Sequence, residues 1–440
     1  MSSNSLQVVY MTSGAAGMYC GSCLNDNTLA RALMQAGVDI QLIPTYTPIR
    51  TDEPDVSAPR IFFGGINVYL EQKSRLYRAL PTKMTRWLDN RGLLKWVTSY
   101  ALSRSYSGLG PLTVSMLDGA LGHQKREVEQ LVDWLANHAR PNVIHFSNLL
   151  IAGCIPEIRR RCPARIVVTL QGDDIFLDSL PEPYRSQATD RMRKLVPLVD
   201  LFTVHSRFYQ SLMMERLSIP ESKFARLPLT IDVTDYSVAP AAPQESGKLV
   251  LGYLARLAPE KGLGQLVEAF LRLKRQPGMG DVELRIAGWL GEQHRGYAET
   301  QFEKLNEGGL RDQWRYVGEL DRRSKVEFLR GLDLFCVPAT FLEPKGIYLL
   351  EALAAGVAVV APAHGAFPEL LAATRGGRLC MPNNVDDLAA TLARLLANAH
   401  DRRQLAATGQ AIVHAECNAR VGAERLAKLY DVLRGSSKVG

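Results

Sequence analysis

Short apolar segments alternate with longer amphipathic segments along the chain. In the first half, six runs rich in Val, Ile and Leu have the length of buried strands: 8–11, 39–43, 143–146, 166–170, 201–204 and 224–227. Four segments carry apolar residues at helical spacing: 24–35, 128–138, 151–160 and 208–216. This alternation of strands and helices predicts βαβ units and a parallel sheet.

The same alternation begins again after 237–248, a stretch with proline, alanine and serine but no periodicity, which is typical of a linker. Beyond it, four strands are predicted at 249–254, 283–287, 334–337 and 357–361. Helices are predicted at 263–273 and 347–354, and three more end the chain at 386–397, 401–415 and 423–433.

We therefore expect an α/β protein with two Rossmann-like, doubly wound domains. The first is predicted at 1–236, with a basic helical insertion at about 71–140, and the second at 249–415, followed by a C-terminal segment at 416–440. Ligands of such sheets bind outside the carboxyl ends of the strands, so the chemistry is expected there, in a cleft between the domains.

Composition excludes several classes of protein. Of 440 residues, 46% are hydrophobic and 22% charged, a balance that excludes a disordered or collagen-like chain. No run of about eighteen apolar residues is present, and the polar start lacks a signal-peptide pattern, so we expect a cytoplasmic protein. The net charge is +7, but no helix-turn-helix or zinc-finger spacing accompanies it, so no nucleic-acid partner is expected.

The cysteines predict reduced thiols, because there are seven in a long chain without a secretion signal. Cys20 and Cys23 form a C-x-x-C pair, which can be redox-active or half of a zinc site. No second pair completes a zinc site, so we interpret both as small residues of a tight turn.

A glycine-containing loop follows the first predicted strand and carries Gly14, Gly17 and Gly21. Glycine allows positive φ and close approach of the backbone, and the helix that follows offers unpaired N–H groups to an anion. The loop lacks the G-x-G-x-x-G pattern, so a dinucleotide site is weakly supported, and a turn without a ligand is the alternative.

Two cations follow the first strand of the second half. Arg256 lies in the turn, and Lys261 opens the next helix. Two positive charges beside helix N–H groups suit a diphosphate. The alternative is that both side chains are solvated surface residues.

The third motif surrounds the start of a later helix, near Gly346. Glu343 stands on the loop before the helix, and Glu351 lies inside it. The amides of Gly346, Ile347 and Tyr348 have no partner within the helix and can hold a phosphate, while each carboxylate can bind sugar hydroxyls. The alternative makes Glu351 a solvated helix residue and Glu343 an acid favoured by the helix dipole.

These motifs, in this order, resemble the retaining family-four glycosyltransferases. Glu343 and Glu351 form E-x7-E, and matching segments lie at the glycine loop, 256–262, 284–288, 317–320 and 367–370. The likeness covers nearly the whole chain. It implies the GT-B fold, in which two Rossmann-like domains face each other and the last helix crosses back to the first domain.

The resemblance also implies roles in binding a nucleotide-sugar donor. Arg256 and Lys261 would bind the diphosphate and stabilise the leaving nucleotide, and Glu343 would contact hydroxyls of the donor sugar. The amides of Gly346, Ile347 and Tyr348 would contact phosphate or sugar.

The remaining implied roles concern the nucleoside and the other domain. Glu351 would bind ribose hydroxyls, and the chain near Leu320 would border the base. Gly14 and Gly17 would line the cleft. No D-x-D occurs in the sequence, so neither a divalent metal nor another cofactor is expected beside the NDP-sugar co-substrate.

Two positions depart from the family pattern. Lys345 stands where an aromatic residue is usual; we expect it to add a phosphate contact, and a side chain that points to solvent is the alternative. Gln171 stands where a histidine commonly faces the reacting sugar; an amide can hydrogen-bond a hydroxyl but cannot act as a base. Asp173 is therefore the replacement candidate for acid–base chemistry. His145 is interpreted as a buried, hydrogen-bonded core residue.

The segment 73–104 interleaves basic side chains with leucine, tyrosine and tryptophan. This pattern suits an acceptor-side or membrane-surface patch, at the inner membrane face. The alternative, an ordinary helical insertion with its basic face in water, is the interpretation that we prefer.

The leading hypothesis is a retaining hexosyltransferase that uses an NDP-sugar such as UDP-glucose or GDP-mannose. Its acceptor would be a sugar, a small molecule or a lipid-linked hydroxyl. The alternatives are a non-catalytic sugar-nucleotide-binding protein, favoured by Gln171, and an NDP-sugar epimerase, which shares the fold but lacks this E-x7-E context.

Overall fold

The computed structural model describes residues 6–14, 21–59, 61–63, 109–236 and 248–435. Contacts between Cα atoms divide the chain into two compact units. The first extends to Leu227 and takes in the chain again from Arg420, and the second is Pro228–Ala419. The predicted domain division stays a prediction: it ends the first domain at 236 and begins the second at 249, whereas the two units meet between Leu227 and Pro228.

The first unit contains a six-stranded parallel sheet in the order β2-β1-β3-β4-β5-β6. Its strands are β1 (Gln7–Thr12), β2 (Asp39–Pro44), β3 (Val143–Phe146), β4 (Arg165–Thr169), β5 (Leu201–Val204) and β6 (Phe224–Arg226). Its described helices are α1 (Gly21–Gln35), α2 (Leu109–Leu117), α3 (Lys125–Trp134), α4 (Ile155–Arg161), α5 (Asp173–Ser179), α6 (Tyr184–Leu195) and α7 (Arg207–Leu217).

The second unit contains another six-stranded parallel sheet, in the order β12-β11-β10-β7-β8-β9. Its strands are β7 (Val250–Leu254), β8 (Glu283–Ala287), β9 (Trp314–Tyr316), β10 (Leu334–Cys336), β11 (Ala358–Pro362) and β12 (Gly377–Cys380). Its helices are α8 (Leu263–Leu273), α9 (Arg295–Glu307), α10 (Arg322–Arg330), α11 (Ile347–Ala354), α12 (Phe367–Thr374), α13 (Val385–Ala397) and α14 (Ala399–Glu416). The last helix, α15 (Ala419–Gly435), belongs to the first unit from Arg420 onward.

All ten predicted strands are present, with ends shifted by at most one residue. The prediction missed β9 and β12, which lie at the two edges of the second sheet. β9 has three residues and β12 four, and none of the β9 residues is fully buried. An edge strand has one neighbour and needs no continuous apolar run, so its sequence carries little signal.

Helix α8 illustrates why the predicted helices form. Its buried residues include Leu263, Leu266, Val267, Phe270 and Leu273, which are spaced three and four residues apart and form one apolar face. That face packs against α13, which has a similar stripe of buried leucines. Amphipathic spacing therefore brings the apolar faces of the two helices together.

Three predictions concern segments that are incompletely described. Residues 237–247 of the predicted linker lie outside the described ranges. The whole basic segment 73–104 also lies outside them. Of the insertion at about 71–140, the described part begins at 109 and contains α2 and α3. Within the ranges that the structure describes, no helix is long and apolar enough to cross a membrane.

His145 joins β3 to the C-terminal helix. Its Nδ1 lies 2.5 Å from the Tyr430 hydroxyl on α15, and its Nε2 lies 2.7 Å from Thr169 Oγ1 on β4. Burial lowers the pKa of His145 to about 3, so the ring is neutral at physiological pH. The interpretation of His145 as a hydrogen-bonded core residue is confirmed.

Replacing Tyr430 with Phe should lower the stability of the first unit by about 1–3 kcal/mol, because it leaves a buried imidazole nitrogen without its partner. The measurement is the thermal midpoint of unfolding of the full chain. Lys428→Ala, an exposed substitution on the same helix, is the matched control and should change stability by no more than about 0.5 kcal/mol. Equal midpoints for the Tyr430 variant and wild type would contradict the described anchoring of α15.

Candidate functional site

The predicted donor-binding motifs lie at the carboxyl edge of the second sheet. Arg256 and Lys261 follow β7, Leu320 follows β9, and Glu343 follows β10. Because every strand of this sheet is parallel to its neighbours, these loops meet at one edge. The topology therefore brings distant parts of the chain to one edge: Arg256 and Glu343 are 87 positions apart in the sequence.

A glycine holds two of these loops in contact. Gly262 has φ of +76°, and a Cβ atom there would stand 1.8 Å from the carbonyl oxygen of Pro338. The amide of Thr340 donates to the carbonyl oxygen of Glu260 at 2.9 Å. A side chain at 262 would separate the loop after β7 from the loop after β10, so glycine is required at this position.

Across these loops Lys261 and Glu343 form a buried ion pair. Lys261 Nζ lies 2.6 Å from Glu343 Oε2, and the Tyr348 hydroxyl donates to the same oxygen at 3.0 Å. The ammonium group also lies 4.6 Å from the centre of the Phe341 ring, within range of a cation–π interaction. Lys261, which is predicted to bind the diphosphate, and Glu343, which is predicted to bind the sugar, are therefore direct partners.

The charge state of Glu343 follows from opposing effects. Burial raises the pKa of this carboxyl, but Lys261, the Tyr348 hydroxyl and the charge of Lys345 together more than offset burial and lower it below its usual value. Glu343 is consequently ionised at neutral pH. Lys345 is itself buried, so the lysine at the position where an aromatic is usual contributes positive charge to this site.

Helix α11 begins as the motif predicts. Gly346 caps its N-terminus with φ of +78°, and the Phe367 ring lies 2.9 Å from where a Cβ atom would stand. The first amides of the helix, at Ile347 and Tyr348, have no carbonyl partner one turn earlier and are directed outward along the helix axis. This end of α11 can therefore receive an anion.

The turn after β11, just before the segment 367–370, supports the Glu343 loop. The amide of Ala366 donates to the carbonyl oxygen of Glu343 at 2.8 Å. Gly365 has φ of +59°, and a Cβ atom there would stand 2.6 Å from both the nitrogen and the oxygen of Glu343. The turn at Gly365 and Ala366 thus holds the Glu343 loop in place.

Glu351, the second acid of E-x7-E, is buried and forms an ion pair with Lys325 on α10. The alternative of a solvated Glu351 is wrong. Lys325 was missed by sequence reasoning, because it lies among the charged residues of α10 and no spacing distinguishes it from Arg322 or Arg323.

Arg256 and Leu320, which are also predicted to contact the donor, lie on other loops at the same edge of the sheet. Arg256 is half-exposed and pairs with Glu260 at 3.1 Å rather than with either acid of the motif. Leu320 is half-buried beyond β9, where the amide of Gly288 donates to the carbonyl oxygen of Gly318 at 2.9 Å. Their roles toward a donor stay predictions.

At the carboxyl edge of the first sheet, Gly14 has φ of +82°, and a Cβ atom there would stand 2.1 Å from the carbonyl oxygen of Thr47. Glycine is therefore required for the chain to pass Thr47. Gly17 and Cys20 lie outside the described residues, and Cys23 is buried.

Asp173 holds two loops of this edge together. Its Oδ1 accepts from the amide of Leu149 at 2.8 Å, and its Oδ2 accepts from the amide of Gln171 at 3.1 Å. Burial raises the pKa of Asp173 to about 6, although these two amides act in the opposite direction. Both oxygens are engaged with backbone, so the visible role of this carboxylate is to position the loops after β3 and β4; acid–base chemistry by Asp173 stays a prediction.

Comparison with known proteins finds similarity to glycosyltransferases. Residues 239–411 match the family described as glycosyl transferases group 1. A phosphatidyl-myo-inositol mannosyltransferase from Mycolicibacterium smegmatis is 32% identical over 219 residues, which cover 49% of this chain and 53% of that protein. The predicted resemblance to the glycosyltransferases is confirmed.

A second relative is a GDP-mannose-dependent monoacylated alpha-(1-6)-phosphatidylinositol monomannoside mannosyltransferase from Corynebacterium glutamicum. It is 25% identical, over 60% of this chain and 70% of that protein. The chain spans about half the length of the phosphatidyl-myo-inositol mannosyltransferases that it matches.

Solved glycosyltransferase structures share the fold. A sucrose-phosphate synthase from Thermosynechococcus elongatus superposes with a TM-score of 0.69 at 18% identity, over 98% of this chain and 100% of that chain. HepE of Anabaena, solved in complex with UDP, gives 0.66 at 14% identity, over 97% and 100%. Together with the two parallel sheets, these matches confirm the predicted GT-B fold.

The raised pKa of Asp173 generates a prediction about stability and pH. The folded state holds this proton more tightly than the unfolded state, so the contribution of Asp173 to stability is greatest below about pH 4 and is lost as pH rises through about 6. The loss should reach about 3 kcal/mol relative to low pH. It is measured as the free energy of unfolding of wild type minus that of Asp173→Asn, from pH 4 to pH 7.

The Asp173→Asn protein should show an additional, pH-independent loss, because an amide cannot accept from both backbone N–H groups. Asp174, whose pKa burial also raises, is present in both proteins and cancels from the difference. Parallel pH profiles for the two proteins would rule out the raised pKa of Asp173.

Proposed function

We propose that this chain is a retaining glycosyltransferase that moves a hexose from an NDP-sugar to a hydroxyl acceptor, with GDP-mannose as the first donor to test. The observation that carries the proposal is the buried pair of Lys261 and Glu343 at the start of α11. It combines a fixed cation, a sugar-binding carboxylate and helix amides within one edge of a parallel sheet.

In such a transfer the bond between the sugar and the diphosphate weakens first. Positive charge develops at the anomeric carbon, and negative charge develops on the departing phosphate. A cation already held in place stabilises that negative charge without reorganisation during the reaction. Lys261 meets this requirement because Glu343 and the Phe341 ring fix its ammonium group before a donor binds.

The orientation of Glu343 also suits binding of the donor sugar. Among the described residues, both donors to this carboxylate use Oε2, so Oε1 remains for a hydroxyl of the donor sugar. Its ionised state supports the role, because a carboxylate accepts stronger hydrogen bonds than a carboxylic acid. Arg256 would exchange its surface partner Glu260 for the diphosphate, and Lys345 would add a phosphate contact.

The names of the relatives support a mannosyl donor and a lipid-linked acceptor. One relative is described as a phosphatidyl-myo-inositol mannosyltransferase, and another as GDP-mannose-dependent. For this chain both assignments are proposals. The basic and aromatic composition of 73–104 supports peripheral contact with an anionic membrane, where such an acceptor would be found.

Lys261→Ala and Glu343→Gln should each lower the rate of glycosyl transfer by at least about a hundred-fold, the usual effect of removing one transition-state contact. The assay supplies GDP-mannose or UDP-glucose and follows release of the nucleotide. Lys304→Ala removes an exposed lysine of α9 and is the matched control, with no expected change. Unchanged turnover in both site variants would refute the site.

Retention of configuration is tested separately, by NMR of the first product formed. The anomeric proton of the transferred sugar should show the same configuration as in the donor. An inverted product would overturn the retaining assignment while leaving transferase activity in place.

Membrane contact is tested by flotation of the full chain with liposomes. Binding to phosphatidylglycerol vesicles at low salt, weakened at high salt and absent with phosphatidylcholine alone, is expected for a basic patch. Failure to float with any anionic vesicle would remove the membrane from the proposal.

The alternative of a catalytically silent sugar-nucleotide-binding protein is favoured by one observation, the amide of Gln171 where a base is usual. The two are distinguished by turnover. A protein that is stabilised by GDP-mannose or UDP-glucose in a thermal-shift assay, but neither hydrolyses nor transfers the sugar, would be a binding protein.

A further inference from the structure

The turn after β11 holds the loop 339–343 at both of its ends. This loop follows β10 and carries Glu343 at its far end, where the amide of Ala366 donates to the carbonyl oxygen of Glu343 at 2.8 Å. At the near end, His364 Nε2 lies 3.0 Å from the carbonyl oxygen of Ala339. The side chain of His364 therefore fixes the start of the loop whose end carries Glu343.

The partner of His364 determines which ring nitrogen carries the proton. A backbone carbonyl oxygen can only accept a hydrogen bond, so Nε2 must be protonated and donate to Ala339. Burial lowers the pKa of His364, although the Ala339 carbonyl and the charge of Glu343 act in the opposite direction, so the ring is neutral at physiological pH. The other nitrogen, Nδ1, is buried and has no hydrogen-bond partner in the part of the chain that the structure describes. Removing the imidazole therefore removes a single hydrogen bond.

The backbone of the turn is anchored independently of the imidazole. The amide of His364 donates to the carbonyl oxygen of Pro362 at 2.8 Å, and the amide of Ala363 donates to the carbonyl oxygen of Cys380 at 2.8 Å. Pro362 ends β11 and Cys380 ends β12, so the turn is held by two strands of the sheet. Loss of the imidazole should therefore leave the turn in place and release only the near end of the loop 339–343.

The loop after β7 holds the residues on either side of Ala339. Gly262 permits close approach to the carbonyl oxygen of Pro338, and the amide of Thr340 donates to the carbonyl oxygen of Glu260 at 2.9 Å. Three consecutive residues, 338–340, are thus each held by a neighbouring loop or turn. This segment cannot shift without breaking one of these contacts, so it sets the direction in which the chain continues toward the motif acid.

We propose that His364 is a positioning residue of the proposed transferase: its hydrogen bond to Ala339 holds the loop 339–343 so that Glu343 meets Lys261 and the donor sugar. The assignment rests on the proposed function. Its basis is that one turn holds both ends of this loop, and that the loop ends at the 2.6 Å contact between Glu343 and Lys261. A shift of the loop would lengthen that contact, and a buried ion pair is favourable only when its geometry is close.

The test compares three substitutions of this one side chain. Glutamine places an NH2 group where the ring has Nε2, whereas asparagine, one methylene shorter, places it where the ring has Nδ1. His364→Asn and His364→Phe should each lower kcat/KM for GDP-mannose or UDP-glucose about three- to tenfold, the range for one hydrogen bond between neutral groups. His364→Gln should keep kcat/KM close to that of wild type. Glutamine could not restore a proton-transfer role, because an amide does not titrate.

His414, on α14, provides a matched control in the same unit. Its Nε2 lies 3.1 Å from the carbonyl oxygen of Ala354, which ends α11, so the contact lies at the other end of that helix from Glu343. His414→Phe removes the same type of hydrogen bond and should leave kcat/KM unchanged even where it lowers the thermal midpoint. The midpoint of every variant is measured in parallel, and His364→Asn replaces His364→Phe if the latter does not fold.

A double-mutant cycle tests whether His364 acts through Glu343. In the Glu343→Gln background, His364→Phe should cause no further loss of kcat/KM. With normal wild-type turnover, additive losses in the cycle, or a His364→Gln protein as impaired as His364→Asn, would overturn the positioning role and leave the transferase in place. A wild-type protein that neither binds nor turns over GDP-mannose or UDP-glucose would refute the proposed function and this assignment with it.

Discussion

The ion pair between Lys261 and Glu343 is the interaction on which the candidate site depends. Each charge of a buried pair stabilises the other. If either one were removed, its partner would remain buried without a counter-charge, which is strongly destabilising. The pair joins loops whose residues are 82 positions apart. The close approach that Gly262 permits is needed for this contact, so backbone conformation and electrostatics are coupled here.

The second motif acid repeats the same arrangement. Glu351 pairs with Lys325, as Glu343 pairs with Lys261, and all four side chains are largely removed from solvent. Charges fixed in this way do not have to reorganise when a substrate charge develops, which is the condition for electrostatic catalysis. The E-x7-E spacing therefore places two carboxylates, and the packing of neighbouring elements supplies a lysine to each.

The first unit uses carboxylates differently. Asp173 accepts hydrogen bonds from two backbone amides, and Asp26 accepts them from two hydroxyls and from the side-chain amide of Gln171, so these carboxylates hold loops and strands together. As a result, several hydrogen bonds together fix the position of Gln171, just beyond the end of β4. A glutamine at this position can form hydrogen bonds but cannot act as a base. The two carboxylates make this hydrogen-bonding group rigid.

Local sequence determined the buried strands, the amphipathic helices and the glycines at 262 and 346, because each depends on nearby residues and on backbone conformation. It also placed Glu343 on the loop before α11 and Glu351 inside that helix. Only the tertiary structure decided that Lys325 faces Glu351, that Asp26 holds Gln171, and that β9 and β12 complete the sheet edges. These contacts join residues distant in the chain, and the free energy of a buried charge or an edge strand depends on which elements pack beside it.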